Sequence, residues 1–211
     1  MKKLNTLSPI LLWICLHVCP VSGWAQLPVE ISVGHSSYYY QHAFAAKFNT
    51  ERPFGFFHTS SILIPYDKNR GNEIMSQSYV SYTLSELWST GIGSIFSPLN
   101  RVRPSVFLQY FLKGKTTALM IYPRVDLWKN PNLELMGFIE YRAAGGQKLK
   151  LYARLQYMTT WSLEAHVRSY QYLRVGVNFG EIQLGPAANF DQYGSLAASY
   201  SSIGLFVRKE F

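Results

Sequence analysis

The sequence predicts an all-β chain: an antiparallel up-and-down transmembrane β-barrel of about twelve strands, with ten or eight as alternatives. Three observations predict it. From residue 26 onward the apolar residues recur with a period of two, not 3.6. Charged residues make up only 15% of the 211, against about 25% in an ordinary soluble domain. The alternating segments also carry 15 Tyr, 13 Phe and 5 Trp. So many buriable rings exclude a disordered chain, and beyond residue 25 no apolar run approaches the roughly 20 residues of a membrane helix.

The amino terminus sets the compartment. Lys2 and Lys3 precede a mostly apolar stretch over residues 7–21, and small residues Gly23 and Ala25 stand at the minus three and minus one positions of a cut before Gln26. Residues 1–25 therefore read as a secretory signal peptide and 26–211 as the barrel. Pro9 and His17 break the stretch, which argues against a membrane anchor or a first helix. Cys15 and Cys19 both lie inside it and neither follows a small residue, so a mature chain of 186 residues carries no thiol and no lipid-bearing cysteine is expected. Processing leaves 18 basic against 12 acidic residues, a surplus of six. Without a basic run or binding motif, that surplus speaks for acidic sugars or lipid phosphates, or for simple solubility, and not for nucleic acid.

Strands are read in order. Residues 29–33, 38–48, 54–64, 74–84 and 91–96 come first, with faces less certain where Phe54, Gly55, Phe56 and Phe57 fit either register. The alternation is clearer over residues 105–112, 119–126 and 133–141. Over 148–158, Leu149, Leu151, Ala153, Leu155 and Tyr157 share one face, and Lys148, Lys150, Tyr152, Arg154 and Gln156 the other. Segments 172–179, 181–190 and 203–211 repeat the pattern. Turn residues separate them at Gly114, at Asn130–Pro131, at Gly145–Gly146 and at Gly180. Twelve strands over 186 residues give about 15 each, which suits 9–11 residues of tilted strand plus a turn. With both ends on the periplasmic side, the turns near Lys113, Gly145 and Gly180 face the periplasm, and longer connections over 67–73, 97–104, 161–168 and 191–201 face outward.

Alternation alone does not say which face points inward, since a soluble barrel buries its apolar side and a membrane barrel does the reverse. A secreted soluble barrel binding an apolar ligand is thus one alternative. Two features favour the membrane. The polar face is rich in Gly176, Gly185, Gly204, Gln109, Gln156, Asn178 and Asn189 but poor in charge, and Tyr38, Tyr40, Trp88, Trp128, Tyr141 and Trp161 collect near strand ends where amphipathic rings meet bilayer interfaces.

The carboxy terminus adds a third. Ile203, Leu205, Val207 and the terminal Phe211, at alternating positions, resemble the last strand by which Gram-negative outer-membrane barrels are recognised by their assembly machinery; Lys209 departs from the pattern. With the signal peptide and the aromatic meander, the whole chain resembles small outer-membrane barrels of Bacteroidota-like bacteria. The resemblance implies insertion into the outer membrane from the periplasm, contact with outer-membrane lipids and lipopolysaccharide, and an assembly signal at Ile203, Leu205, Val207 and Phe211. It names no activity, and nothing in the sequence sets an oligomeric state.

If the apolar face meets lipid, the lumen is lined by Arg124, Asp126, Glu134, Glu140, Lys148, Lys150, Arg154, Arg174, Arg208 and Glu210. Opposite charges recur on neighbouring strands, so cross-strand pairing is available. The lining suits either a narrow polar pore for small solutes, to which a twelve-strand circumference lends some weight, or a closed structural barrel whose charges neutralise one another. An outer-membrane lipid hydrolase is the alternative of a different class, and it needs a serine beside a histidine base. His35 and Ser37 are the candidates, with His58 and Ser60 repeating the spacing and His42 nearby, but histidine-x-serine arises readily by chance. No cofactor and no metal set are expected: His166 has no neighbouring ligand, and Asp67, Asn69, Gly71 and Glu73 lack the pattern of a calcium loop. Lys68, Arg70, Arg101, Arg103, Lys129 and Arg168 are expected on outward loops, where they would meet lipopolysaccharide phosphates.

Overall fold

The computed structural model describes residues 27–49, 51–146, 148–196 and 198–211. The expected signal peptide, its cleavage point and both cysteines lie outside the described residues. Twelve strands follow in order: β1 (Pro28–Gly34), β2 (Ser37–Lys47), β3 (Phe54–Pro65), β4 (Glu73–Thr83), β5 (Trp88–Ser97), β6 (Arg101–Lys113), β7 (Thr117–Asp126), β8 (Asn132–Arg142), β9 (Lys150–Ser162), β10 (His166–Phe179), β11 (Ile182–Tyr193) and β12 (Ala198–Glu210). Each pairs antiparallel with its sequence neighbours, and β12 pairs with β1 to close the barrel. Closure satisfies the backbone of both would-be edges, a condition for any sheet that crosses a bilayer.

Which face looks inward is decided by exposure. On β12, Leu205 is 67% and Val207 56% exposed, whereas Phe206 is 1% and Arg208 8%. The same inversion holds on β9 and β10, where Leu151, Leu155, Leu173 and Val175 are exposed and Tyr152, Arg154, Tyr172 and Arg174 are buried. The greasy side faces out and the polar side encloses the interior, which defines a membrane-spanning barrel and sets aside the soluble one, since a soluble domain does not leave a continuous apolar belt in water. Exposed rings band both ends: Tyr38, Tyr66, Trp128 and Trp161 at the end carrying the β3–β4 loop, and Phe54, Tyr82, Trp88 and Tyr141 at the end carrying the termini. Lys209, the departure in the last strand, sits 4.3 Å from the Phe211 ring centroid, where a cation over an aromatic face suits the membrane border.

Of the four connections expected to be long on the loop side, the one between β3 and β4 is, over residues 66–72, and the other three are short. β6 begins at Arg101, β10 at His166 and β12 at Ala198, leaving short turns over residues 98–100, 163–165 and 194–196. The ladder continues past the bilayer, with Ser169 opposite Gln192 and Gln192 opposite Ser199. There the outward side chains are polar and the period-two signal vanishes although the pairing does not. Gly180 takes the left-handed φ of +60° that the tight β10–β11 turn requires.

Candidate functional site

Tilted strands of an up-and-down barrel throw alternate side chains from all sides into one narrow interior. Here that interior is filled by charges and rings. Near the loop end, Arg124 on β7 holds Glu134 on β8 through two bonds, Nε–Oε1 at 3.2 Å and Nη2–Oε2 at 2.9 Å, and also pairs with Asp126. Asp126 takes Arg103 at 3.8 Å, and Thr160 donates to Glu134 at 3.1 Å. Across the same end, Arg168 bridges Glu73 (2.5 Å) and Asp191 (2.7 Å), with Tyr172 donating to Asp191 at 3.0 Å. At mid-height Arg174, 2% exposed, donates to Glu30 at 2.8 Å and to Asn189 at 2.7 Å. Toward the termini, Arg142 joins Glu210 to Glu140, and Arg154, Arg208 and Tyr152 close on Glu140.

Each of these inward arginines answers a carboxylate, so the interior is electrically closed as well as packed. Bidentate pairing and multiple acceptors are what such buried charges need to offset desolvation.

Of the residues expected to line the lumen, Arg124, Asp126, Glu134, Glu140, Arg154, Arg174 and Arg208 are buried inside it, and Lys150 and Glu210 stand half-buried at its terminal rim. Lys148 does not line it. β9 begins only at Lys150, which leaves Lys148 exposed in the β8–β9 turn. Two of the basic residues expected on outward loops are also corrected: Arg103 and Arg168 turn inward onto Asp126, Glu73 and Asp191. Arg70 lies 3.6 Å from the Tyr200 ring centroid, while Lys68, Arg101 and Lys129 remain exposed. Glu73, drawn into the barrel, is lost to any loop ligand set, and Asp67 instead caps an Asx turn onto Asn69. Among the described residues no cluster of three metal-ligating side chains forms.

Two cavities divide the interior. The loop-end cavity, about 570 Å³, is lined by Tyr39, Leu63, Arg124, Glu134, Met158, Arg168 and Tyr170 among others. The terminal-end cavity, about 480 Å³, is lined by Glu30, Phe57, Phe111, Phe138, Glu140, Arg154 and Glu210 among others. No residue lines both. Between them lies a layer of side chains with almost no exposure: Tyr79 1%, Phe107 3%, Tyr122 0% and Gln77 0%, with Tyr152 and Phe206 on the opposite wall. Phe107 packs edge-on to Tyr79 (4.9 Å between centroids) and stacks on Tyr122 (5.0 Å), while both tyrosine hydroxyls reach Gln77 Oε1 at 3.3 and 3.1 Å. Tyr79, Phe107, Tyr122 and Gln77 thus line neither cavity.

The histidine–serine candidates fare differently. His35 stands exposed in the β1–β2 turn, and its Nδ1 accepts the backbone N–H of Ile203 at 2.9 Å. Ser37 begins β2 and is buried, so the two do not form a nucleophile–base pair. Ser60 donates to the Met75 carbonyl. His58 meets a serine that sequence spacing did not suggest: Nδ1 lies 2.9 Å from Ser78 Oγ on β4, and Nε2 lies 3.2 Å from His42 Nε2 on β2. The register explains the meeting, since β3–β4 pairing sets His58 opposite Ser78 and β2–β3 pairing sets Ser60 opposite His42. All three side chains project from the outward face.

No protein-family description matches the chain, and no curated protein matches it in sequence. Solved structures with a similar fold include the NanC porin (13% identity, TM-score 0.48, covering 89% of this chain and 100% of that one) and the KdgM porin (11%, 0.47, 88% and 99%). A third is LpxR from Salmonella typhimurium (9%, 0.40, 88% and 100%). At these identities and scores the likeness is one of barrel architecture and says nothing of activity.

Proposed function

We propose that this chain, exported through a cleaved signal over residues 1–25, is an integral outer-membrane barrel whose lumen is a closed structural core and not a diffusion pore. One observation carries the reading: the two cavities are separated by Tyr79, Phe107, Tyr122 and Gln77, whose exposure is 3% or less. A conducting path would wet the residues at its narrowest point. The charges around this layer are paired with one another and leave no unbalanced ring to select an ion. Its partners are outer-membrane lipids and lipopolysaccharide, with the assembly machinery meeting Ile203, Leu205, Val207 and Phe211, which stand outward on the last strand.

Planar-bilayer recording tests this. The wild-type barrel is expected to be silent, and the double variant Phe107→Ala, Tyr122→Ala is expected to show discrete conductance steps once the layer is cut away. Stable steps from the wild type, unchanged by the double substitution, would refute a closed core.

A further inference from the structure

The outward wall of β2–β5 breaks the rule that the rest of the barrel obeys. Elsewhere the lipid-facing positions at mid-strand are apolar, from Pro123, Ala153 and Ala188 to Leu155 and Leu173, with Gln171 the exception, but here they include His42, His58, Ser60, Ser76, Ser78 and Ser94. A polar side chain facing acyl chains is costly and marks a working surface. Three of these groups form a directed line, Ser78 Oγ to His58 Nδ1 at 2.9 Å and His58 Nε2 to His42 Nε2 at 3.2 Å, with the His58 and His42 rings stacked 5.2 Å apart. With the His58 proton on Nε2, Nδ1 is the acceptor that faces the serine and His42 is the acceptor that fixes the tautomer. A nucleophile, a base and an orienting group are the parts of an acyl-transfer site. Ser94 stands directly across from Ser78 in the β4–β5 register and adds a further hydroxyl beside the line.

We infer that Ser78, His58 and His42 form a lipid-facing esterase site that cleaves an acyl ester of a glycerophospholipid. Position selects the substrate. The three residues lie four to five positions from the terminal end of their strands, so a rise of about 3.3 Å per tilted residue puts them in the half of the membrane nearer the termini. With the termini periplasmic, that half is the phospholipid leaflet. Tyr40 and Phe56, whose rings lie 5.5 Å from His42 and 6.4 Å from His58, provide an apolar border for acyl chains. The polar groups between them draw water and headgroups inward and thin the leaflet locally.

Ser78 Oγ adds to the ester carbonyl carbon as its proton passes to His58 Nδ1. The tetrahedral adduct collapses with cleavage of the bond to the glycerol oxygen, and His58 returns the proton to that oxygen, leaving acyl-Ser78 and a lysophospholipid. Water, deprotonated by His58, then adds to the acyl carbon; the bond to Ser78 Oγ breaks, the serine regains its proton and a fatty acid departs. Ser78 is the catalytic nucleophile and His58 the catalytic base. His42 is a positioning residue.

The test uses the full-length barrel, purified in detergent and refolded into vesicles of phosphatidylethanolamine and phosphatidylglycerol, with fatty acid release followed by mass spectrometry and a fluorophosphonate probe reporting the serine. Wild type is expected to release fatty acid and to carry the probe on the Ser78 peptide. Ser78→Ala and His58→Ala lose both by at least about 100-fold, whereas Ser60→Ala keeps both. His42→Ala slows labelling and shifts its pH profile, and His42→Asn, which restores an acceptor for His58 Nε2–H, recovers part of the rate. Retained heat-modifiable mobility certifies that each variant is folded. Absence of both release and labelling from folded wild type overturns the proposal, as does release that survives Ser78→Ala. Acyl release from lipopolysaccharide with phospholipid untouched overturns the substrate assignment. An unlabelled barrel that runs as a dimer dispersed by Ser78→Leu would make the patch an interface between copies, and would overturn the proposal too. The closed core is read independently by conductance, so the two readings fail separately.

Discussion

The outward surfaces of β9–β12 and of β2–β5 face the same hydrocarbon yet are built differently. The first is a mainly apolar lattice of Leu151, Leu155, Leu173, Val175, Leu184, Ile203 and Leu205, all exposed, with Gln171 toward the loops. The second keeps large apolar side chains at its borders, Phe54 and Tyr82 toward the termini and Tyr38 and Ile64 toward the loops, but places imidazoles and hydroxyls between them. Both walls carry the same ladder and close the same barrel, so pairing does not demand the difference. The contrast is one of polarity alone: two walls of one ladder meet the same hydrocarbon with different side chains, and the esterase proposal rests on that difference.

The largest expected effect lies inside, where an excess buried charge is costly. Glu134→Ala removes the two-bond partner of Arg124, leaving Arg124 and Arg103 to share Asp126 alone, and is expected to lower unfolding free energy by about 3 kcal/mol, measured by urea titration of the folded barrel in detergent. Next comes the inert wall: Leu173→Arg sets a cation among acyl chains near the middle of β10 and is expected to cost about 2–4 kcal/mol in the same titration. On the polar wall the sign reverses. Ser78→Leu is expected to leave the midpoint unchanged or raise it, and a loss as large as that of Leu173→Arg would show that the two walls do not differ in kind. The smallest effect is at the rim, where Lys209→Ala removes one cation from the Phe211 face and is expected to cost about 0.5–1 kcal/mol.

Much of the fold was legible because the alternation of Leu149 to Tyr157 against Lys150 to Gln156 survives wherever one face meets lipid. It failed where that condition lapses. Toward the loops the outward Ser169, Gln171 and Gln192 are as polar as the inward Arg168 and Asp191, so the start of β10 reads as loop and Arg168 as a surface base, although it is held by Glu73 and Asp191. Glu30 was within reach, since it alternates with Ile31, but its partner Arg174 lies 144 residues away and only closure of β1 onto β12 brings them together. The Ser78–His58 contact is hidden for the same reason. Spacing along one strand suggests His58 with Ser60, while the register of β3 on β4 hands His58 to Ser78 and leaves Ser60 with a backbone carbonyl.

The seam between the first and last strands has a consequence for biogenesis. Gly34 and Gly204 stand opposite each other there, and a Cβ on Gly204 would run into the Val33 carbonyl oxygen and Gly34 Cα. Because β1 spans only Pro28–Gly34, this short zipper is the last thing the nascent sheet can fasten, and it fastens only if both teeth are bare. A side chain at Gly204 is expected to hold the seam open and leave a curled ribbon with two unpaired margins, the template on which sheets clump.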